Sequence, residues 1–264
     1  MDFETIIFEK EDEVGTITLN RPKSLNAINY KMICEYVNAM EMIRDDDGIR
    51  AVIVTGAGKG FCSGADLTSP DMPFNVMQPS GMREYVQSHL QRMGTSMLEL
   101  EIPIVGAING MAAGAGCNLA LSSDIIIASD EARFSQIFAK RALVPDVGGM
   151  FMLPRLVGMA KAKELMFTAD NIDAEEAFRI GMINRVVPAG DLMKEAREFA
   201  LRLANGPTKA IGMTKRILNK AFESDLRTIL DHEASAQGIA VSTKDAREGV
   251  SSFLQKREPR FKGR

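Results

Sequence analysis

The sequence predicts an α/β fold that ends in an all-helical tail, and three observations carry that prediction. Short apolar runs of buried-strand type alternate with segments of helical period over the first half of the chain. Two small-residue loops, Gly60-Phe61-Cys62-Ser63-Gly64-Ala65-Asp66-Leu67 and Gly110-Met111-Ala112-Ala113-Gly114-Ala115-Gly116-Cys117-Asn118, each follow directly on such a run. After Val186-Val187-Pro188 the strand signal stops. The chain therefore divides into an α/β core over residues 1–189 and a C-terminal helical region over 190–264.

Taken in order, Ile6-Ile7-Phe8 and Val14-Gly15-Thr16-Ile17-Thr18-Leu19 read as two strands about the turn Glu11-Asp12-Glu13. From Asn29 to Arg44 the spacing of Met32, Tyr36, Val37, Met40 and Ile43 predicts a helix, which Asp45-Asp46-Asp47-Gly48 ends. Ala51–Thr55 is a buried strand. Pro70, Pro73 and Pro79 mark residues 68–80 as a mobile lid or loop. A helix from about Met82 to Leu100 follows, then strand Ile104–Ile108, a small-residue helix through Leu119-Ala120-Leu121, and strand Asp124–Ala128. Residues 190–204, 207–222, 225–242 and 244–256 read as helices, with Pro207 suited to a first helical position. Four such helices cannot bury all their apolar faces alone, which points to oligomerisation.

Composition excludes several function classes. The 264 residues are 45% hydrophobic and 25% charged, ordinary globular values. A net charge of −3, from 32 basic and 35 acidic residues, gives no electrostatic case for nucleic acid or an anionic membrane. No apolar run approaches the roughly 20 residues that span a bilayer, and the acidic start Met1-Asp2-Phe3-Glu4-Thr5 does not read as a signal peptide. Cys34, Cys62 and Cys117 form no C-x-x-C pair, and their odd number suits a reducing cytoplasm better than a disulfide framework. With only His89 and His232, a histidine-rich metal site is not expected. Seventeen methionines without a tryptophan read as flexible core filling.

The chemistry-bearing pattern is the pair of glycine loops together with one acid, Asp146. Residues too small to obstruct a ligand let backbone N–H groups face it. Two such donors would hold an oxyanion, and an acid beside them could move a proton. That combination suits an enolate. Close backbone packing explains glycine-rich turns equally well, and a helix-capping role would explain Asp146. Nucleotide loops fail on detail: Gly114-Ala115-Gly116-Cys117-Asn118-Leu119 lacks the third glycine of G-x-G-x-x-G, and Gly56-Ala57-Gly58-Lys59-Gly60 is not a phosphate-binding P-loop. No G-x-S-x-G elbow is present.

Asn20-Arg21-Pro22-Lys23-Ser24-Leu25-Asn26-Ala27, Gly60–Leu67, Ala107-Ile108-Asn109-Gly110 through Asp124, and Gly148-Gly149 with Leu153-Pro154-Arg155 resemble the crotonase (enoyl-CoA hydratase/isomerase) superfamily. The likeness spans essentially the whole chain. Leu143-Val144-Pro145-Asp146-Val147-Gly148-Gly149 and the ending Arg247-Glu248-Gly249-Val250 through Phe253-Leu254-Gln255-Lys256-Arg257 are most similar to the 1,2-epoxyphenylacetyl-CoA isomerase group. The resemblance implies a spiral of ββα repeats and a C-terminal helical region that assembles trimers or hexamers. It implies an acyl-CoA substrate, with coenzyme A part of that substrate and no separate cofactor.

Residue by residue, the resemblance implies oxyanion donors at the N–H groups of Ala65 and Ala115 and an acid/base at Asp146. Coenzyme A contacts are implied at Lys23, Ser63, Asp66, Leu67, Gly114 and Lys256, with Phe138 at the substrate and Phe253 closing the pocket. The lysines read equally well as solvated charges, and Phe253 as core. The two glutamates of the family's hydratases are matched here by Asn118 and Phe138. Hydration needs water activation and protonation, whereas shifting a double bond needs one group that takes a proton from C2 and returns it at C4. An isomerase is the expectation, with a hydratase as the same-fold alternative and an acyl-CoA-binding or interaction protein as the non-enzyme one. Dehalogenase relatives carry a histidine on the helix that holds His89, but the offset does not match, so a surface or core histidine is expected.

Overall fold

The computed structural model describes residues 3–71, 76 and 78–264. Pro73 of the expected lid lies outside the described residues, as do Met1 and Asp2; Pro79 opens a helix.

The first half runs β1 (Ile6–Glu11), β2 (Val14–Leu19), α1 (Tyr30–Asp45), β3 (Ala51–Gly56), β4 (Gly60–Cys62), α2 (Pro79–Tyr85), α3 (Gln91–Glu99), β5 (Ile104–Ile108), β6 (Met111–Ala113) and α4 (Ala115–Leu121). The second half runs β7 (Ile125–Ser129), β8 (Arg133–Ser135), α5 (Gly149–Val157), α6 (Met159–Thr168), β9 (Asn171–Asp173), α7 (Ala174–Arg179), β10 (Arg185–Val187), α8 (Leu192–Ala204), α9 (Thr208–Leu218), α10 (Leu226–Ala240) and α11 (Lys244–Leu254).

β1 and β2 pair antiparallel about the Asp12 turn, and the large sheet continues in parallel in the order β1-β2-β3-β5-β7-β10. A second, smaller sheet has the order β4-β6-β8-β9. Each of β3, β5 and β7 is followed within a few residues by a short strand of the small sheet, which is the repeating ββα turn of a crotonase spiral. This corrects the expectation for the glycine loops: Gly60–Cys62 and Met111–Ala113 are strands, paired parallel through Gly60↔Met111 and Cys62↔Ala112. Three residues are too few to show a period.

The core fills the space between the sheets and α1, whose Met32, Ile33, Tyr36, Val37, Met40 and Ile43 all face inward. Asn29 caps that helix by accepting from the Met32 N–H at 3.0 Å. On the other face of the large sheet, Leu192, Ala196, Ala200 and Ala204 of α8 pack on Val14, Ile53, Val105 and Ile127. Alanines at every fourth position let the helix lie close on the strands. The packed body thus runs past the 189/190 division and includes α8. α9 is anchored too, since Lys215 Nζ sits 2.8 Å from Asp124 Oδ2 and 2.8 Å from the Met97 carbonyl. Pro207 stands at the N-cap of α9, one place before the first helical residue. α10, by contrast, has no buried residue.

Candidate active site

Chain direction places the site. β3 and β5 end at the same edge of the large sheet, and the small-sheet strands that follow carry the chain across that edge. The segment after β4 bridges to Ile28: the Ile28 N–H donates to Gly64 O and the Asp66 N–H to Ile28 O, both at 2.8 Å. That pairing uses the neighbours of Ala65 and leaves the Ala65 N–H out of it. Ala115 is the first residue of α4, whose opening N–H groups have no acceptor within the helix.

Glycine brings the two donors together. Gly64 has φ +101°, and a Cβ there would lie 2.9 Å from Ala113 O and 3.7 Å from Ala115 N. A Cβ on Gly116 would lie 2.2 Å from Cys62 O. Beneath them the Cys62 and Cys117 thiols are fully buried, and burial pushes each up to about 12, so both stay neutral.

A cavity of about 860 Å³ opens on these loops, with Ser24, Ser63, Gly64, Ala65, Asp66 and Leu67 along one side. Gly114, Ala115, Phe138, Leu143, Val144 and Asp146 form another wall, and Met82, Tyr85, Val86 and Leu90 a third. Asp146 lies on a turn in which Val147 has φ +47° and Gly148 φ +75°. A buried β-branched residue in the left-handed region is a strained conformation, and it sits directly beside the acid. Helix α5 begins only at Gly149, with Gly148 as its N-cap, so the Asp146 side chain caps nothing. Its Oδ1 is buried without a hydrogen-bond partner among the described residues. Burial among apolar walls, opposed by its own backbone N–H, pushes this carboxyl up to about 7. Burial thus outweighs that backbone hydrogen bond. The other acid on the wall, Asp66, behaves oppositely. Burial works to raise it, but the Thr68 hydroxyl, Arg21 at 2.9 Å and the Thr68 N–H outweigh that and hold it below the usual carboxylate range.

Asn118, expected at the position of a hydratase glutamate, is completely buried in α4. Its Nδ2 donates to the Asp146 carbonyl at 2.9 Å, and its Oδ1 accepts from Gln136 Nε2 at 2.8 Å. Phe138, expected at the other glutamate position, is an apolar wall against Gly114.

Of the residues singled out from sequence, the cavity gathers Ser63, Ala65, Asp66, Leu67, Gly114, Ala115, Phe138 and Asp146. Lys23 is exposed on the turn just before the rim residue Ser24. Phe253 and Lys256 are not brought to this cavity within one chain. Phe253 is 81% exposed on α11, and the tail beyond Lys256 turns back so that Phe261 O meets Arg50 at the opposite end of β3. Phe253 is therefore not core either. Sequence reading missed Tyr85, Arg83 and Arg141 on the cavity wall. The two arginines gave no signal because single exposed cations follow no motif.

His89 is turned away from the cavity. A π-helical turn, Val86–Leu90, interrupts the helix between α2 and α3. In an unbroken α-helix Met82, Tyr85, Val86 and His89 would share a face. The extra residue of the π turn puts Leu90 there instead, and His89 meets the Tyr30 ring edge-on at 5.1 Å. Among the described residues no helix is long and apolar enough to cross a membrane, and no group of three or more His, Cys, Asp or Glu could hold a metal.

The matches to known proteins agree with this geometry. Residues 9–264 match the enoyl-CoA hydratase/isomerase family. The chain is 40% identical over 262 residues to 1,2-epoxyphenylacetyl-CoA isomerase of Escherichia coli strain K12, covering 99% of each. It is 39% identical over 259 residues to short-chain-enoyl-CoA hydratase of Clostridium acetobutylicum, covering 98% of this chain and 97% of that one. The crystal structure of enoyl-CoA hydratase from Bacillus anthracis superposes with a TM-score of 0.90 at 34% identity, covering 99% and 100% of the two chains. With the spiral fold and two glycine loops beside a cavity acid, these matches place the chain in the crotonase (enoyl-CoA hydratase/isomerase) superfamily of acyl-CoA-processing enzymes.

Proposed function

We propose that this enzyme shifts a carbon–carbon double bond in an enoyl-CoA thioester. The Ala65 and Ala115 N–H groups hold the thioester oxygen. Asp146 takes a proton from C2, the negative charge spreads onto that oxygen as an enolate, and the same carboxyl returns the proton at C4. Each oxyanion donor typically contributes about 3 kcal/mol to lowering such a barrier. One observation carries the reading: Asp146 is an acid on the cavity wall whose Oδ1 has no hydrogen-bond partner among the described residues and whose proton affinity lies near neutrality, while Asn118 and Phe138 stand where the resemblance puts a hydratase's glutamates. A base works best with a pKa near the operating pH. Arg83 and Arg141, on the same wall, supply positive charge for the phosphates of coenzyme A.

Hydration is the second reading, favoured by the 39% identity to a short-chain-enoyl-CoA hydratase. The test is to incubate the enzyme with 3-hexenoyl-CoA and with crotonyl-CoA. A 2-enoyl product from the first, with no 3-hydroxyacyl product from the second, supports isomerisation; the converse pattern refutes it.

The same reading extends to assembly. Leu226, Leu230, Ile239, Val250, Phe253 and Leu254 are exposed on α10 and α11, an apolar surface suited to contact between copies. Light scattering should give three or six times the 28.9 kDa chain mass.

A further inference from the structure

Gly94 is buried in the interior of α3, a place where glycine weakens a helix. A Cβ there would lie 2.9 Å from Val147 Cγ1, 3.1 Å from the Val147 carbonyl oxygen and 3.1 Å from Ser122 Oγ. The missing side chain therefore leaves a notch in α3, and the side chain of Val147 is seated against it.

Val147 is the residue next to the candidate acid. It is 1% exposed and holds φ +47°, a conformation that a β-branched residue keeps only where its surroundings impose it. The notch supplies one such hold. Asn118 supplies another through its bond to the Asp146 carbonyl, and the Ser122 hydroxyl beside the notch donates to Asn118 O at 3.0 Å. The Asp146 turn is thus gripped between α3 and α4. Leu90, one helical turn before Gly94, stands on the cavity wall, so the helix that shapes the cavity also touches the turn that carries the acid.

We propose that Gly94 and Val147 are positioning residues for Asp146: the valine held in the α3 notch fixes the strained turn and so aims the carboxyl at the substrate carbons. This rests on the isomerase reading above and adds the residues that aim its acid. Neither residue lines the cavity, so both act through Asp146. A carboxyl displaced by even about 1 Å transfers a proton far less well. Burial is also what raises its proton affinity, so a turn that swings toward water loses that setting.

The test moves bulk from one side of the contact to the other. Isomerisation of 3-hexenoyl-CoA is followed from about pH 5 to about pH 9 in Gly94→Ala, Val147→Ala and the double variant. Gly94→Ala crowds the valine and should lower kcat about 10- to 100-fold, with KM within about twofold of the wild type's. The midpoint of its kcat/KM profile should fall below the wild type's value of about 7, because the displaced carboxyl gains water. Val147→Ala empties the notch and should move both readouts the same way. The double variant puts a methyl back into the emptied contact and should recover most of the lost kcat and of the midpoint. A merely structural defect lowers the folded fraction without moving the midpoint. Unchanged kcat or an unmoved midpoint in either folded single variant, or a double variant no better than the worse single one, overturns the proposal. Should Gly94→Ala not fold, Val147→Ala decides on the same two readouts. Asp146→Asn, assayed alongside, separates the failures. If it is inactive while both single variants behave as wild type, this proposal alone falls; if it turns over normally, the isomerase reading falls too.

Discussion

The side-chain amide of Asn118 donates to the backbone carbonyl of Asp146 across 2.9 Å, tying the candidate acid to the helix whose first N–H is a candidate oxyanion donor. A Cβ on Gly149 would fall 2.2 Å from Asn118 Oδ1, so the glycine is what lets this bond form. Asn118→Ala removes the tether, leaving the Asp146 carbonyl with only the Gly149 N–H and Gln136 Nε2 with only Cys117 Sγ. Each lost hydrogen bond costs about 0.5–1.5 kcal/mol. The variant should lose that order of stability in denaturant titration, and kcat should fall about 10- to 100-fold with little change in KM.

Asp146→Asn keeps the shape of the acid and removes its basicity. Isomerisation of 3-hexenoyl-CoA should fall by about 10²–10⁴, the usual worth of a general base, while calorimetry shows acyl-CoA binding retained. Unaltered turnover would remove Asp146 from the mechanism.

Proton affinity adds a pH signature. The base must be ionised, so kcat/KM should rise about tenfold per pH unit below about 7 and level off above it. Stability moves the other way. The folded chain holds a proton that the unfolded chain releases from about pH 4, so stability drains as pH climbs from there to about 7. Asp146→Asn lacks this effect, and its melting temperature should exceed the wild type's most clearly above pH 7. Differential scanning fluorimetry across pH 4–9 reads the difference.

How much of this was legible in the sequence depends on the length scale. Buried strands such as Ala51–Gly56 and the capped helix α1 announce themselves through six or more residues of pattern. The small sheet did not, because its three-residue strands gain their pairing from partners about 20 to 50 residues away in the chain. In the site, Ala65, Ala115 and Asp146 were visible as glycine-loop neighbours and as an acid on a glycine turn. Tyr85 was not, since nothing in Arg83-Glu84-Tyr85-Val86 tells a core phenol from one on a cavity wall. Leu90 on the cavity wall was not legible either, because a π turn leaves no mark on side-chain periodicity until the face it shifts is seen.

Gly116→Ala tests the donor pair. Its methyl would overlap Cys62 O and push the two loops apart. Loss of one well-placed donor costs about 10²–10³ in kcat, and the variant should show a fall of that order. Binding of free coenzyme A should change much less.

The buried pair Lys215–Asp124 joins α9 to the start of β7, with the Lys215 ammonium also donating to Met97 O and Ile102 O. Lys215→Met strands a carboxylate that still accepts the Ile104 N–H. Denaturant unfolding should show a loss of about 3–5 kcal/mol. A double variant that also carries Asp124→Leu should recover part of it.

The π turn at Val86–Leu90 decides which residue of this helix stands on the cavity wall. Deleting one residue from that turn would leave an ordinary α-helix with Met82, Tyr85, Val86 and the former Leu90 still on one face. Keeping the residue but relaxing the turn would rotate His89 inward. The helix therefore holds a spare residue at the cavity wall, and losing one codon there would straighten the helix while the wall residues, the glycine loops and Asp146 stay where they are.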